Sequence, residues 1–302
     1  MRPLAVVGNV NVDMILGPTA PWPTPGSEVF VDHSELRVGG SASNSALTWQ
    51  ALGADFQFVA NSGSDLYGAW MRDQLTPHSA AWPVADGPST ISVGITHPDG
   101  ERTFFTNKGH LAVLDWPDVR DGFDWDGLSG GYLLLCGAFL LTALAPDFPA
   151  LFAKAHDHDI RVALDTGWPP DGWDEATRQA AMEWAGGSDC LLVNEVEAAA
   201  LSGVEDPKLA GRALLDLMRP GSIVVVKIGP QGAWAFHDDE AVHAPAPLVR
   251  VVDTIGAGDV FNAAFLMGLA DGSPLGEATE LGVRAASRAI STFPRRYGPD
   301  PA

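Results

Sequence analysis

The sequence predicts an α/β fold, a mostly parallel sheet flanked by helices with a small β-sheet lid, and three observations predict it. Short, almost wholly apolar runs of strand length recur along the chain, separated by segments of helical periodicity. Polar residues close several of those runs, at the carboxyl edge where open α/β sheets bind ligands. Two β-rich pieces interrupt that alternation.

In chain order, "PLAVVGNVNVD" reads as a buried strand opening into a functional loop. "MILGPTAPWPTPGSEVFVDHSELRV" is rich in Pro and Gly and then alternates apolar with polar, as a sheet with one wet face does. "GGSASNSALTWQALGA" is a loop running into a helix, followed by the strand and turn "FQFVANSGSD" and the helix "LYGAWMRDQL". Residues 89–107 hold two β-rich runs around "PDGE", a hairpin turn in which Pro fixes φ and Gly supplies positive φ. The later strands are "YLLLCGAFLL", "IRVALDTG", "CLLVNEVE" and "SIVVVKIG", with helical segments such as "ATRQAAMEWAGG" and "LAGRALLDLMRPG" between them. Residues 1–13, 38–88 and 108–302 are thus expected to form one core, and 14–37 with 89–107 a discontinuous lid.

The 302 residues are 46% hydrophobic and 19% charged, an ordinary globular composition. A formal net charge of −20 opposes phosphate backbones and anionic lipid, so neither a nucleic-acid nor a membrane partner is expected. Any phosphate on a substrate must then be met by backbone N–H groups, a metal or a few placed cations. Both cysteines, Cys136 and Cys190, lie in apolar runs and read as buried thiols. The N-terminal segment lacks the apolar stretch and cleavage pattern of a signal peptide, and no apolar run reaches ~20 residues, which predicts a cytoplasmic protein.

The segment "GAGD", residues 256–259, precedes the apolar helix pattern "VFNAAFLMGLA". A helix N-terminus there offers unpaired N–H groups and the positive end of the dipole, and small residues let an anion come close. Read locally, Asp259 is equally a helix cap and Gly-Ala-Gly a tight turn. The segment is neither a P-loop nor a dinucleotide G-x-G-x-x-G.

"DTIGAGDVFNAAFL", residues 253–266, resembles the C-terminal signature of the ribokinase-like (PfkB) carbohydrate kinases. "GNVNVD", "GGSASNSA", "NEVE" and "KIGPQG" follow the family's order, so the resemblance spans nearly the whole chain. It implies a ribokinase-like three-layer sandwich and a phosphotransferase using ATP and Mg²⁺ on a hydroxyl, primary by expectation, of a small sugar. Asp259 would be the general base, and the N–H groups of Gly256, Ala257 and Gly258 the anion hole for the transferred phosphoryl group. Asn11 and Asp13, with Gly39, Gly40 and Asn44, match the substrate loops. Asn194 and Glu197 match N-x-x-E, which holds Mg²⁺ through ordered water. Gly229 and Gly232 match a nucleotide-binding loop. Lys227, where the family often has Thr, would reach a phosphate or turn to the surface. Asp253 and the Ile255 carbonyl match positions that bind a monovalent cation, K⁺, in some members, although "STFPRRYGPDPA" departs from the pattern expected for the other half of that site. In several relatives the lid also forms a homodimer, which the alternation around "VFVDH" permits, and Thr103–Phe105 would close over the substrate.

Ser41 stands where ribokinases proper carry Lys, and "CGAFLL" lacks their sugar-contacting Glu, so the resemblance leaves the sugar open. The alternatives are a nucleoside or vitamin kinase of the same superfamily and a non-catalytic sugar- or nucleotide-binding sensor. A dinucleotide-dependent oxidoreductase is disfavoured by the missing G-x-G-x-x-G after the first strand.

Overall fold

The computed structural model describes residues 1–98 and 101–298. The first strand, β1 (Leu4–Gly8), is followed by β2 (Asn11–Gly17), β3 (His33–Gly39), α1 (Ser41–Ala51) and β4 (Phe56–Val59). A short pair, β5 (Ser62–Gly63) and β6 (Val84–Ala85), flanks α2 (Leu66–Gln74). The hairpin strands β7 (Ile91–Thr96) and β8 (Arg102–Thr106) precede α3 (Trp116–Gly122). Next come β9 (Tyr132–Cys136), α4 (Phe148–His156), β10 (Arg161–Asp165), α5 (Glu175–Gly187), β11 (Cys190–Asn194), α6 (Glu195–Ser202) and α7 (Pro207–Leu217). The chain closes with β12 (Ile223–Lys227), β13 (Ala233–His237), β14 (Glu240–Ala244), α8 (Ala257–Ala270) and α9 (Leu275–Ile290).

The main sheet has the order β14-β13-β12-β11-β10-β9-β1-β4, parallel from β4 to β12 and antiparallel at β13 and β14. Its central runs are apolar because both faces are covered, and the two-residue period sends successive side chains to different cores. Leu133 and Leu135 face α4, α5, α6 and α7, while Leu134 and Cys136 face α1, α2, α8 and α9. The result is three layers. The antiparallel pair β13–β14, in "AWAFHDDEAVHA", is an addition to the strands predicted from sequence; it extends the sheet edge beyond β12.

The two interrupting pieces pair into a separate sheet, β3-β2-β7-β8. Its strands reach further in than expected: Asn11 and Asp13 lie on β2 itself rather than in a loop after β1, because the chain passes from the main sheet to the lid within Asn9 and Val10. "VFVDH" is largely outside the sheet, since β3 begins at His33. Asp99 and Gly100 of the "PDGE" turn lie outside the described residues, as do 299–302 of the C-terminal segment. Among the described residues, no helix is long and apolar enough to cross a membrane.

Two features position the site. Register aligns the carboxyl ends of β1, β9 and β10 at Gly8, Cys136 and Asp165, and those of β11 and β12 at Asn194 and Lys227. The buried Trp49 indole donates to the Ala263 carbonyl at 2.7 Å, locking α1 against α8.

Candidate active site

Gly256 is the N-cap of α8, at φ 72°, with no side-chain cap, so the helix terminus stays open. A Cβ at Gly256 would stand 2.7 Å from Asn44 Nδ2 and 2.9 Å from Arg295 Nη1, which leaves room only for glycine. Asp259 is the third helical residue. Its carboxylate does not cap the helix; Oδ2 accepts from Asn44 Nδ2 at 2.8 Å, and the Ser41 hydroxyl bonds the same carboxylate. Burial, reinforced by the Asp165 charge and opposed by these bonds and Lys227, raises its pKa to about 6. Of the three expected anion-hole donors, Gly256 and Gly258 flank the opening, but the Ala257 N–H closes a turn onto the Thr254 carbonyl at 3.2 Å.

Opposite lies the lid. Directly paired residues share a sheet face, and the register puts Asn11, Asp13, Arg37, Ser92, Phe104 and Arg102 on one face. Asn11 Nδ2 donates to Asp13 Oδ1 at 2.7 Å and to Ser92 Oγ at 3.3 Å. A Cβ at Gly39 would come within 2.1 Å of the Asp13 carboxyl, so the glycine is what lets β3 pass it. Gly40, the N-cap of α1, turns the chain from lid to core, and Asn44 sits one turn later. Burial raises the Asp13 carboxyl to about 6 against the lowering effect of Arg37. Of Thr103–Phe105, only Phe104 shares the face of Asp13; Thr103 and Phe105 belong to the outer one.

A cavity of about 700 Å³ runs from Ser41 and Asp259 along the carboxyl edge to an apolar wall that includes Val249, Val251, Val283 and Ile290. Asn194, Glu197, Lys227, Gly229, Gly232 and the turn Gly256–Gly258 all line it. Asn194 and Glu197 form a reciprocal capping box on α6, with Glu197 Oε2 accepting the Asn194 N–H at 2.9 Å. Burial, then Asp165, raises the Glu197 carboxyl to about 7, with Lys227 opposing. Lys227 does not turn to the surface: it lines the cavity, with Nζ 3.0 Å from both Asp165 Oδ2 and Asn262 Oδ1 and beside Gly258 of the α8 N-terminus. Burial pushes this ammonium down, but Asp165 and Glu197 leave it raised overall. A larger groove of about 850 Å³ between α4 and α5 is lined by none of these groups.

The sequence matches the pfkB family carbohydrate kinase pattern over residues 1–297. The chain belongs to the pfkB family of carbohydrate kinases. The resemblance carried by "DTIGAGDVFNAAFL" is borne out. Among relatives, the chain is 25% identical over 303 residues to the ribokinase of Bacillus subtilis, covering 99% of this chain and 96% of that protein. It is 30% identical over 249 residues to the fructokinase of Klebsiella pneumoniae, covering 77% and 76%. The structure of Arabidopsis thaliana ribokinase complexed with ribose and ATP shares the fold, with a TM-score of 0.78 at 23% identity over 96% of this chain and 93% of that one.

In a family whose members act on phosphoryl groups, two implied ions can be tested against these side chains. Glu197 and Asp165, pressed together at the cavity wall, suit a hydrated Mg²⁺, which would relieve the raised Glu197 carboxyl. Among the described residues, no group of three or more His, Cys, Asp or Glu could hold a metal, so such an ion would keep most of its water. A monovalent cation at Asp253 and Ile255 does not fit. Asp253 Oδ2 already accepts from Arg37 Nη1 at 2.7 Å and Arg295 Nη2 at 2.8 Å, and Oδ1 from the Ile255 N–H at 2.9 Å. Arg102 Nη1 stands 3.7 Å from Oδ1. That expectation is corrected.

Sequence reasoning missed Arg37, Arg102, Arg295, Asn262 and Tyr297, whose hydroxyl donates to Asn44 Oδ1 at 3.2 Å. Asn262 lies within the "DTIGAGDVFNAAFL" signature, but nothing near any of the five names its partner. The apolar wall had a usable signal in the spacing of Val283, Ala286, Ser287 and Ile290 on α9.

Proposed function

We propose that this kinase transfers the γ-phosphoryl group of ATP to a hydroxyl, primary by preference, of a small sugar. One observation carries the reading: a carboxylate of raised pKa, Asp259, stands inside the open N-terminus of α8 and faces Asn44, the residue that joins it to the lid-side loop. A carboxylate poised near pH 6 can accept a hydroxyl proton at neutral pH. As Asp259 takes the proton, the sugar oxygen bonds to the γ-phosphorus and the bond to the bridging oxygen of ADP breaks. The proton later leaves Asp259 for solvent. The N–H groups of Gly256 and Gly258 and the α8 dipole meet charge on the moving phosphoryl group. When bound, Mg²⁺ supplies charge neutralisation on the nucleotide phosphates. The cavity's polar end suits phosphates and its apolar wall the adenine ring.

Asp13 and Asn11 are suited to sugar hydroxyls, and the lid face carrying Phe104 to excluding water from them. The outer face of the lid, which includes Met14, Leu36, Val93 and Phe105, is apolar and partly open, which supports self-association through it. The test is ADP release with ATP and Mg²⁺ over a panel of pentoses, hexoses, sugar acids and nucleosides. Nucleosides belong there because Phe104 could stack on a base, and acids because Arg37 Nη2 is buried without a protein acceptor among the described residues. No turnover on any of them, with ATP bound, would favour a sensor. Phe105→Glu should shift sedimentation to the monomer if the lid is the interface.

A further inference from the structure

The chain's one described C-terminal segment after α9 folds back over the site. Tyr297 packs against the small cluster of Val260 and Ala264 of α8 with Ala285 and Ala289 of α9, and its hydroxyl reaches Asn44. This places Arg295 in the core of the site, with its side chain only 6% exposed. Arg295 Nη2 lies 2.8 Å from Asp253 Oδ2 and 3.4 Å from the Asp253 carbonyl, so one guanidinium grips both the carboxylate and the backbone of the turn that leads into α8. Its other terminal nitrogen, with Asn44 Nδ2, is one of the two atoms a Cβ at Gly256 would strike.

Three hydrogen bonds already occupy the Asp253 carboxylate, two on Oδ2 and one on Oδ1, and an arginine stands 3.7 Å from Oδ1. Besides Arg295 it holds Arg37 of β3, with Arg102 of β8 close by and also bonded to the Thr254 hydroxyl. Guanidinium groups from three separate parts of a chain with net charge −20 converge on this carboxylate. They neutralise the Asp253 charge that would draw in a free cation, and their low exposure limits the screening of that effect. A bound cation at this turn would supply two things, a fixed positive charge and a rigid Asp253–Gly256 backbone. A buried guanidinium with two bonds to Asp253 supplies both permanently.

We propose that Arg295 is a built-in cation: it orders the Asp253–Gly256 turn and adds positive charge beside the α8 N-terminus, so this kinase functions without a monovalent metal ion. The proposal rests on the reading of that turn as a phosphoryl site, and a measurement that needs no turnover keeps the two separable. Binding of ADP with Mg²⁺ to the full chain is followed calorimetrically in potassium chloride and in choline chloride at equal ionic strength, alongside the thermal midpoint. The wild type should show the same affinity and midpoint in both salts. Arg295→Ala should lose about tenfold in affinity in choline and recover much of it with potassium or millimolar guanidinium. Arg295→Lys, which keeps a charge with less disturbance, should fall between them and serves if the alanine variant does not fold.

A wild type that gains about tenfold in affinity, or several degrees in midpoint, from potassium overturns the proposal. So does an Arg295→Ala protein that binds ADP like the wild type in choline, or one that neither added cation improves. Failure of the wild type to bind ADP in any salt counts instead against the kinase reading, and the thermal midpoints in the two salts still decide whether the turn takes a metal ion.

Discussion

Asn44 Nδ2 donates to Asp259 Oδ2 at 2.8 Å, joining the first turn of α1 to the first turn of α8 across 215 residues of sequence. The bond is held from both ends. Ser45 and Trp49, one and five residues on, bond to the carbonyls of Asp259 and Ala263, so the two helices cannot slide without breaking it. A carboxylate that might have been a helix cap is therefore turned toward the lid, where an acceptor hydroxyl can meet it.

Replacing that carboxylate gives the most direct check. Asp259→Asn keeps an oxygen for Asn44 but cannot take a proton, and kcat should fall by about 10²–10⁴-fold with nucleotide affinity little changed. A loss of less than about tenfold in single-turnover phosphorylation would remove Asp259 from the role of base. The same variant should be more stable than wild type at pH 7.5, because it relieves a buried charge.

The pH dependence follows with opposite signs for rate and stability. Asp259 works only when ionised, so kcat/KM should rise with pH through about 6. For stability, its folded pKa lies above the unfolded value, so the folded state binds more protons between those values and loses stability as pH rises through that window. Asp13, also raised to about 6, acts the same way. In Asp13→Asn the acid limb of the rate should persist, whereas the residual rate of Asp259→Asn should be flat across it. A pH–rate profile of the three proteins checks this.

His110 works in the other direction. Its Nδ1 accepts the Thr90 N–H at 2.9 Å and its Nε2 lies 3.0 Å from the Val10 carbonyl, so the neutral ring ties the entry of β7 to the β1–β2 connection. Burial depresses its pKa to about 4. The stability it contributes is present above the unfolded value of 6.5 and is lost as pH falls toward 4. Urea unfolding at pH 7.5 and 5 should show a steeper loss for wild type than for His110→Gln, which cannot be protonated, although the variant starts lower.

Much of this architecture is legible in the sequence, and the illegible part has a physical cause. Runs such as "YLLLC" announce themselves because a strand covered on both faces must be apolar throughout, and "GAGD" before a helix pattern announces an open N-terminus. The direction of Lys227 is not readable, since nothing within several residues names its partners; Asp165 and Asn262 reach it from β10 and α8 only once the sheet is ordered. The same holds for Arg37, Arg102 and Arg295, which come from two lid strands and the C-terminal segment to one aspartate. Local pattern reveals faces and caps, whereas convergence belongs to topology.

Lys227 offers a test of that convergence. Lys227→Met leaves Asp165 buried without its cation and should cost about 3–5 kcal/mol of stability. Adding Asp165→Asn removes the orphaned charge and should recover part of the loss, a coupling that a double-mutant cycle by chemical denaturation reads directly. A lysine that served only to contact phosphate would show no such coupling.

Tyr297 separates positioning from chemistry. Its hydroxyl donates to Asn44 Oδ1 at 3.2 Å, so the carboxamide whose nitrogen the acceptor-only Asp259 carboxylate holds is gripped at its oxygen end as well. Tyr297→Phe keeps the ring but removes one of the two bonds that hold the Asn44 carboxamide, which loosens its donation to Asp259. Losing one such bond costs about 0.5–1.5 kcal/mol, so kcat/KM should fall by about two- to twelvefold. A loosened amide offsets the burial of Asp259 less, so the acid limb of the pH–rate profile should move upward as well. Equal activity with an unmoved limb would mean that Asn44 is held by Asp259 alone. A lower rate with an unmoved limb would place the effect of Tyr297 in packing of the C-terminal segment instead.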